Sequence, residues 1–233
     1  MHSLIVHMSS ATRRRANVEV LLQTLPDAQV IEAVRGTDAG VTPANGDIHQ
    51  PHYPFPIGAG EVGCFLSHRA CWQRIVDEGW DYALIAEDDL ALDTSHWPHV
   101  QALIAGHATA DSFIRIPAKD RETAAQVVAS DGPCTLMLPR VIGLQTVLQV
   151  VGRDAAVRLL TVTDVLDRPV DTFLQMHWVH GQRIHTILPN GVQELTADLG
   201  GSTIQKKTRT SGKLMREINR WRYRRAVAAR PQT

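Results

Sequence analysis

A segment with helical periodicity runs directly into a fully apolar strand, and that strand ends on three consecutive acids. Over residues 61–80, Phe65, His68, Trp72, Ile75 and Val76 recur on one face of a 3.6-residue spiral, and Gly79 supplies the stop. The compact apolar run Tyr82–Ala86 follows, suited to a central strand covered on both sides. Glu87, Asp88 and Asp89 come immediately after it. A helix feeding a strand of this kind commits the chain to an α/β arrangement.

The flanking sequence extends the pattern. SLIVHM, residues 3–8, reads as a first strand, and residues 12–24 read as a helix with Val18, Leu21, Leu22 and Leu25 at helical spacing. Residues 28–34 give a second strand. Residues 35–60 hold Gly and Pro with almost no periodicity, the mark of a binding loop or lid. Beyond the acids, a helix is expected over 97–105, a strand over 111–118, and two strands within 135–151 separated by Pro139 and Gly143. A helix over 152–163, a short helix within 168–181 and a strand over 183–189 close a unit spanning residues 1–205. The sheet is expected to be mixed but mostly parallel.

Ligands of open α/β sheets sit outside the carboxyl ends of the strands, so the position of the acids matters more than their number. In extended chain, Glu87 and Asp89 share one face and Asp88 takes the other. Two carboxylates that close in a poorly hydrated cleft repel each other unless a cation lies between them. An oxygen-seeking divalent ion, Mg²⁺ or Mn²⁺, is the expected remedy, held by Asp89 with Glu87. His177, His180 and His185 form a second set, from which an imidazole such as that of His180 could join the metal. His68 could meet a phosphate or an acceptor hydroxyl. Cys64 and Cys71 read as small buried apolar residues. The P-loop run G-x-x-x-x-G-K-[ST] and the serine nucleophile elbow are missing from the sequence.

Charge divides the chain. Residues 206–233 carry ten Lys or Arg against one Glu, while residues 1–205 carry 14 basic and 23 acidic residues. The basic segment reads as an amphipathic helix from Gly212 to Ala229, with Leu214, Ile218 and Trp221 on one face and Arg216, Arg220 and Arg224 on much of the rest. Such a segment suits the surface of an anionic bilayer, and nucleic acid is not expected as a partner. With no secretion-signal pattern at the start, the expected location is cytoplasmic, with peripheral attachment to the inner membrane.

GEVGCFLSHRACWQRIVDEGWDYALIAEDDL, residues 60–90, resembles the signature of glycosyltransferase family 25, the lipooligosaccharide galactosyltransferase-like group that includes the collagen galactosyltransferases. SLIVHMSSATRRR, AVRG, RPVDTFL and LPNGVQELTADLGGSTI follow the same family's order, so the likeness covers residues 3–204. It implies a GT-A-like fold and an inverting, metal-assisted transfer of a hexose, galactose or glucose, from a UDP-linked sugar to a lipooligosaccharide or other saccharide. Glu87, Asp88 and Asp89 match its acidic motif. Glu61, Gly63, Cys64, Ser67 and His68 match its upstream block. Arg13 and Arg14 match the turn after its first strand, where they would meet the nucleotide. Asp171 matches a later aspartate, the first choice as general base, with Asp88 second. In IGLQTVLQVV, residues 142–151, the family's usual Gly-Tyr pair keeps its glycine and lacks the tyrosine. Two other readings remain: a metal-dependent phosphohydrolase, and an inactive glycosyltransferase-like binding module.

Overall fold

The computed structural model describes residues 1–199 and 213–233. The chain begins with β1 (His2–His7), a 3-10 turn (Thr12–Arg14), α1 (Arg15–Thr24) and β2 (Ala28–Glu32). After the irregular segment come α2 (Ala59–Asp77), β3 (Tyr82–Glu87), β4 (Leu90–Leu92), α3 (Trp97–His107) and β5 (Phe113–Arg115). Then follow β6 (Ala124–Asp131), β7 (Cys134–Pro139), β8 (Leu148–Gly152), α4 (Arg153–Thr161), α5 (Val170–Leu174) and α6 (His177–His180). The described chain closes with β9 (His185–Leu188), β10 (Val192–Glu194) and α7 (Lys213–Ala228). The boundary expected at residue 205 and the last residues of the 188–204 block lie outside the described residues.

Side-chain alternation along the central strands makes three layers. Ile5, Leu84, Ala86 and Val150 face one core, which α1 covers with Val18 and Leu21 and α3 with Val100, Leu103 and Ile104. Leu4, Ala83, Ile85 and Val151 face the other, covered by Phe65, Trp72 and Ile75 of α2 and Ala155, Ala156 and Leu159 of α4. Each large side chain buried in this way stabilises the fold by about 1.5–3 kcal/mol. The two-sided burial read for Tyr82–Ala86 is thus observed.

The strand order is β2-β1-β3-β8-β5-β9-β7-β6, and β4 pairs with β10 in a separate ribbon. The sheet is mixed, but it is not mostly parallel. Only β1–β2, β1–β3 and β5–β9 pair parallel; β3–β8, β8–β5, β9–β7 and β7–β6 are antiparallel. The expectation failed because β8 runs antiparallel to both β3 and β5, β7 runs antiparallel to β9, and the unanticipated β6 adds a hairpin. Residues 124–128 are exposed and show no apolar alternation, and β6 forms a hairpin with β7 through Gly132, whose φ is 50°. Hairpins reverse direction without a crossover helix. The short helix expected within 168–181 is two pieces, α5 and α6, interrupted at Met176.

The basic segment packs onto the body of the protein. Tyr223 and Val227 of α7 are buried, and the Tyr223 hydroxyl accepts a bond from buried Arg168 at 3.2 Å. Arg168 also bonds the carbonyls of His49 and Pro51 and is forked onto Asp167 at 2.8 Å, so one guanidinium ties the long loop to α7. Past the helix, the Gln232 side chain is buried and bonds Pro139 and Ile184. The buried stripe of α7 is therefore rotated from the one read in the sequence: Trp221 is 58 % exposed. The side chain of Leu214 lies outside the described ones.

Candidate functional site

Close backbone contact sets the position of α2. A Cβ at Gly63 would lie 2.4 Å from the Val34 carbonyl oxygen, and one at Gly36 would lie 1.8 Å from that of Ala59, so only glycines allow the helix to meet the chain leaving β2. Ser67 reinforces the joint: its hydroxyl accepts from Val34 N–H at 2.9 Å and donates to the Gly63 carbonyl at 2.7 Å. The next residue, His68, is buried beside the end of β3. Gln149 donates to its Nδ1 at 2.8 Å, which leaves the ring proton on Nε2, 3.6 Å from Glu87 Oε1. Thr146 donates to that same oxygen at 2.7 Å.

The acids do not alternate as extended chain requires, because β3 stops at Glu87 and Asp88–Asp89 form a turn. Glu87 turns toward α2 and the entry to β8. Asp88 is buried against β1 and the turn after it, with His7 Nδ1 at 2.7 Å and Arg14 on its other oxygen. Arg14 also reaches Asp89 Oδ2 at 3.0 Å, and Thr196 donates to that oxygen at 2.8 Å. Asn17 holds the turn from outside by donating to the Asp88 and Leu90 carbonyls, both at 2.9 Å. Asp88 and Asp89 thus share a counter-ion, and Glu87 stands apart.

These surroundings give the carboxylates different affinities for protons. Burial raises Glu87, but His68, Thr146 and Arg14 outweigh it and hold the group below its ordinary value. Burial and the Glu87 charge raise Asp89, offset only in part by Arg14 and Thr196. Asp89 Oδ1 is buried and has no hydrogen-bond donor among the described residues.

A cavity of about 220 Å³ opens at this strand end, lined by Glu61, Cys64, Glu87, Thr146, Asp171 and Glu194 among others. Asp171 reaches it from the first turn of α5, where its Oδ2 accepts from Gln145 N–H at 3.3 Å and its Oδ1 from the Thr172 hydroxyl at 3.1 Å. Cys64, His68 and Glu87 each offer one atom within 4.8 Å of the others, a grouping that could hold a metal ion. Its softer members suit it less. Burial pushes the Cys64 thiol well above its usual range, followed by the charges of Glu87, Asp171 and Glu61, so it keeps its proton, and His68 presents an N–H. Glu87 is the carboxylate that offers a hard oxygen donor to the cavity, of the sort that holds Mg²⁺ or Mn²⁺ together with substrate phosphates, whereas Asp89 is not among the lining residues and is turned toward Arg14 and Thr196.

The other residues singled out in the sequence fall as follows. Glu61 closes a capping box at the start of α2, accepting from Gly58 N–H at 2.7 Å, and also lines the cavity. Arg13 is exposed, whereas Arg14 points inward at the acids. Ser67 does not line the cavity, because its hydroxyl is used between Val34 and Gly63. Asp88 is no accessible base: His7 and Arg14 take both of its oxygens. His180 does not join the acids. Its Nε2 meets the Leu174 carbonyl at 3.1 Å and its Nδ1 accepts from Gln182 N–H at 3.1 Å, which leaves no lone pair for a metal. His7, Asn17, Thr146, Glu194 and Thr196 are not singled out by the sequence. Cys64, matched to the family's upstream block but read as a small buried apolar residue, lines the cavity, and its spacing of four from His68 on one helix face is the signal for that.

Burial holds the folded-state His180 at about 4. A histidine depressed below its unfolded value of about 6.5 favours folding above that pH, and the contribution is lost as pH falls toward 4, because the unfolded chain then binds the extra proton. The expected loss is about 3 kcal/mol between pH 7 and 4. Urea unfolding of wild type and His180→Asn at several pH values checks this: the gap between the two proteins should close over that window, and a constant gap would exclude it.

Comparison with known proteins adds an independent line. A family model described as glycosyltransferase family 25 (LPS biosynthesis protein) matches residues 1–128. Procollagen galactosyltransferase 1 of Danio rerio is 34 % identical over 110 residues, which cover 42 % of this chain and 18 % of that protein. Procollagen galactosyltransferase 2 of Homo sapiens is 26 % identical over 99 residues, covering 38 % and 16 %. A Rattus norvegicus protein named probable inactive glycosyltransferase 25 family member 3 is 27 % identical over 108 residues, covering 43 % and 19 %. The chain therefore spans under a fifth of the length of these relatives. Asp171 lies beyond the matched residues, so its place in the cavity is a result of the geometry alone. The family match covers more than half of the 233 residues, including β1, Arg14, α2 and the whole acidic turn, and the chain belongs to glycosyltransferase family 25.

Proposed function

We propose that this protein transfers a hexose, galactose or glucose, from a UDP-linked donor to a lipooligosaccharide or other saccharide acceptor, with inversion and with Mn²⁺ or Mg²⁺ bound. The observation that carries the reading is the 220 Å³ cavity, in which Asp171 and Glu87 line one space at the carboxyl end of β3. Glu87 and Asp89 Oδ1 would hold the cation, which when bound neutralises charge on the diphosphate leaving group. Asp171 orients the acceptor hydroxyl and takes its proton as the oxygen attacks the anomeric carbon. The new carbon–oxygen bond forms as the bond to the diphosphate breaks, and that electron pair leaves with the nucleoside diphosphate. Gln145 N–H and the Thr172 hydroxyl fix the carboxylate for this step. His68 and Thr146 keep Glu87 ionised.

The location proposed is cytoplasmic, with peripheral attachment to the inner membrane. Among the described residues no helix is long and apolar enough to cross a membrane. The outward-facing Trp221, with Arg225 stacked 5.3 Å from its ring centroid, supports a surface contact, which vesicle sedimentation below addresses.

A nucleotide-sugar screen tests the function. UDP-hexoses with Mn²⁺ should raise the melting temperature, since a ligand of the native state stabilises it, and turnover should require a saccharide. Release of UDP at the same rate without any saccharide would favour a phosphohydrolase. Neither binding nor turnover with any donor would leave an inactive binding module.

A further inference from the structure

A second cavity, of about 1060 Å³, lies beside the first, and Glu61 and Gln145 line both. Its walls are the end of the long loop at 53–58, the segment 141–145 ahead of β8, and the inner side of α7. It is strongly cationic: Arg115, Lys119, Arg121, Arg216, Arg220 and Arg224 line it, against Glu61 and Glu122. Three of the cations are already engaged. Arg115 is buried on Glu122, Lys119 reaches Glu194 at 3.4 Å, and Arg220 pairs with Glu217 at 2.5 Å. Among the described residues, no carboxylate pairs with Arg121, Arg216 or Arg224.

The cavity is held in shape. The guanidinium groups of Arg216 and Arg220 stand 5.8 and 5.9 Å from the Phe55 ring centroid, joining α7 to the loop. Tyr53 packs edge-on against Tyr223 at 5.6 Å beneath them. Between the two cavities, Gln145 has a φ of 84°, a left-handed conformation that costs a non-glycine residue about 1–3 kcal/mol. In that conformation its N–H meets Asp171 and its side-chain amide donates to Glu194 at 3.2 Å. Among the described residues its Oε1 is buried without a partner, as is Glu122 Oε2. Unpaired acceptors of this kind fit the hydroxyl donors of a sugar.

We propose that this cavity binds the acceptor and selects a saccharide carrying phosphate, with Arg216, Arg224 and Arg121 meeting the anion and Gln145 passing the reacting hydroxyl to Asp171. The inference rests on the reading of Asp171 as the acceptor's base. Its volume suits several sugar rings, and the faces of Tyr53, Phe55 and Tyr223 match their apolar sides. A basic segment that the sequence alone ascribes to a bilayer thereby presents one side to substrate. Arg222 and Arg225 are absent from the cavity lining and exposed.

Calorimetric titration of the full chain with maltotriose and singly phosphorylated maltotriose, without donor or metal, tests the proposal. The phosphorylated sugar should bind at least about tenfold more tightly, a preference that weakens as salt rises. Arg216→Gln/Arg224→Gln should lose it while still binding unphosphorylated maltotriose as wild type does, which shows that the cavity keeps its shape without the Arg216–Phe55 contact. Arg222→Gln/Arg225→Gln, which removes the same charge from outside the cavity, should keep it. Equal affinity of wild type for both sugars, equal loss in both double variants, or displacement of the phosphorylated sugar by UDP would overturn the proposal. So would retention of the preference by Arg216→Gln/Arg224→Gln with loss only of salt-sensitive sedimentation with anionic vesicles. Phosphate preference with no turnover of any UDP-hexose would remove the transferase reading and leave the cavity's; turnover on both sugars with equal affinity would do the reverse.

Discussion

Asp89→Asn is expected to lower metal-dependent transfer at least about a thousandfold, because a bound cation contributes several kcal/mol of charge stabilisation at the leaving group. Among the described residues Asp89 Oδ1 has no hydrogen-bond partner, which suits the proposed role, while Oδ2 is held by Arg14 and Thr196. Asparagine keeps an acceptor for those two donors, and Asp88 still compensates Arg14, so the fold should survive. Melting temperature and circular dichroism of the purified variant, with turnover measured over a Mn²⁺ series, check the prediction. Near-wild-type turnover at saturating Mn²⁺ would refute it. Asp88→Asn is the informative contrast. Asp88 is sealed under His7 and Arg14, so its replacement should lower the melting temperature more than that of Asp89 does, with the smaller effect on Mn²⁺-dependent turnover of the folded protein.

The second large effect belongs to Asp171. Its replacement by Asn should reduce kcat by about 10² to 10⁴, the usual contribution of a positioned base, with little change in the affinity for UDP. Asparagine preserves the acceptor facing Gln145 N–H, so the loss reports on the proton-accepting group and not on the shape of the cavity. The measurement is kcat and donor KM at saturating acceptor, with UDP binding determined separately. If the variant binds UDP much more weakly and turns over normally once saturated, Asp171 belongs to the donor site. Because Asp171 stands outside the 1–128 family match, this test bears on the local geometry independently of family membership.

Local pattern was enough for the part of the molecule where neighbours in sequence are neighbours in space. Phe65, His68, Trp72 and Ile75 are buried on one face of α2, and Tyr82–Ala86 form most of β3, because helical spacing and a continuous apolar run each admit few folded solutions. The acids at that strand's end could be located for the same reason. Their division of labour could not. Alternation put Glu87 with Asp89, and the turn at Asp88–Asp89 instead joined Asp88 to Asp89 through Arg14, 74 residues earlier in the chain. Such a pairing has no periodic trace, since one charged residue in a polar turn resembles another until the sheet brings β1 beside β3.

Charge composition was legible while its address was not. Composition and periodicity were enough to read residues 206–233 as basic and 212–229 as a helix, but helical spacing allowed more than one buried stripe. Arg168, unremarkable in the sequence, decided between them by binding Tyr223 and the loop at His49 and Pro51. Strand direction was settled the same way, by the β6–β7 hairpin and the antiparallel seat of β8 between β3 and β5. Spacing along the chain thus determined which segments form and which face of α2 is apolar. Tertiary contacts were needed to bring Asp88 and Asp89 onto Arg14, to seal His180 in the core and to make α7 the wall of a cavity, because each depends on residues far apart in the chain.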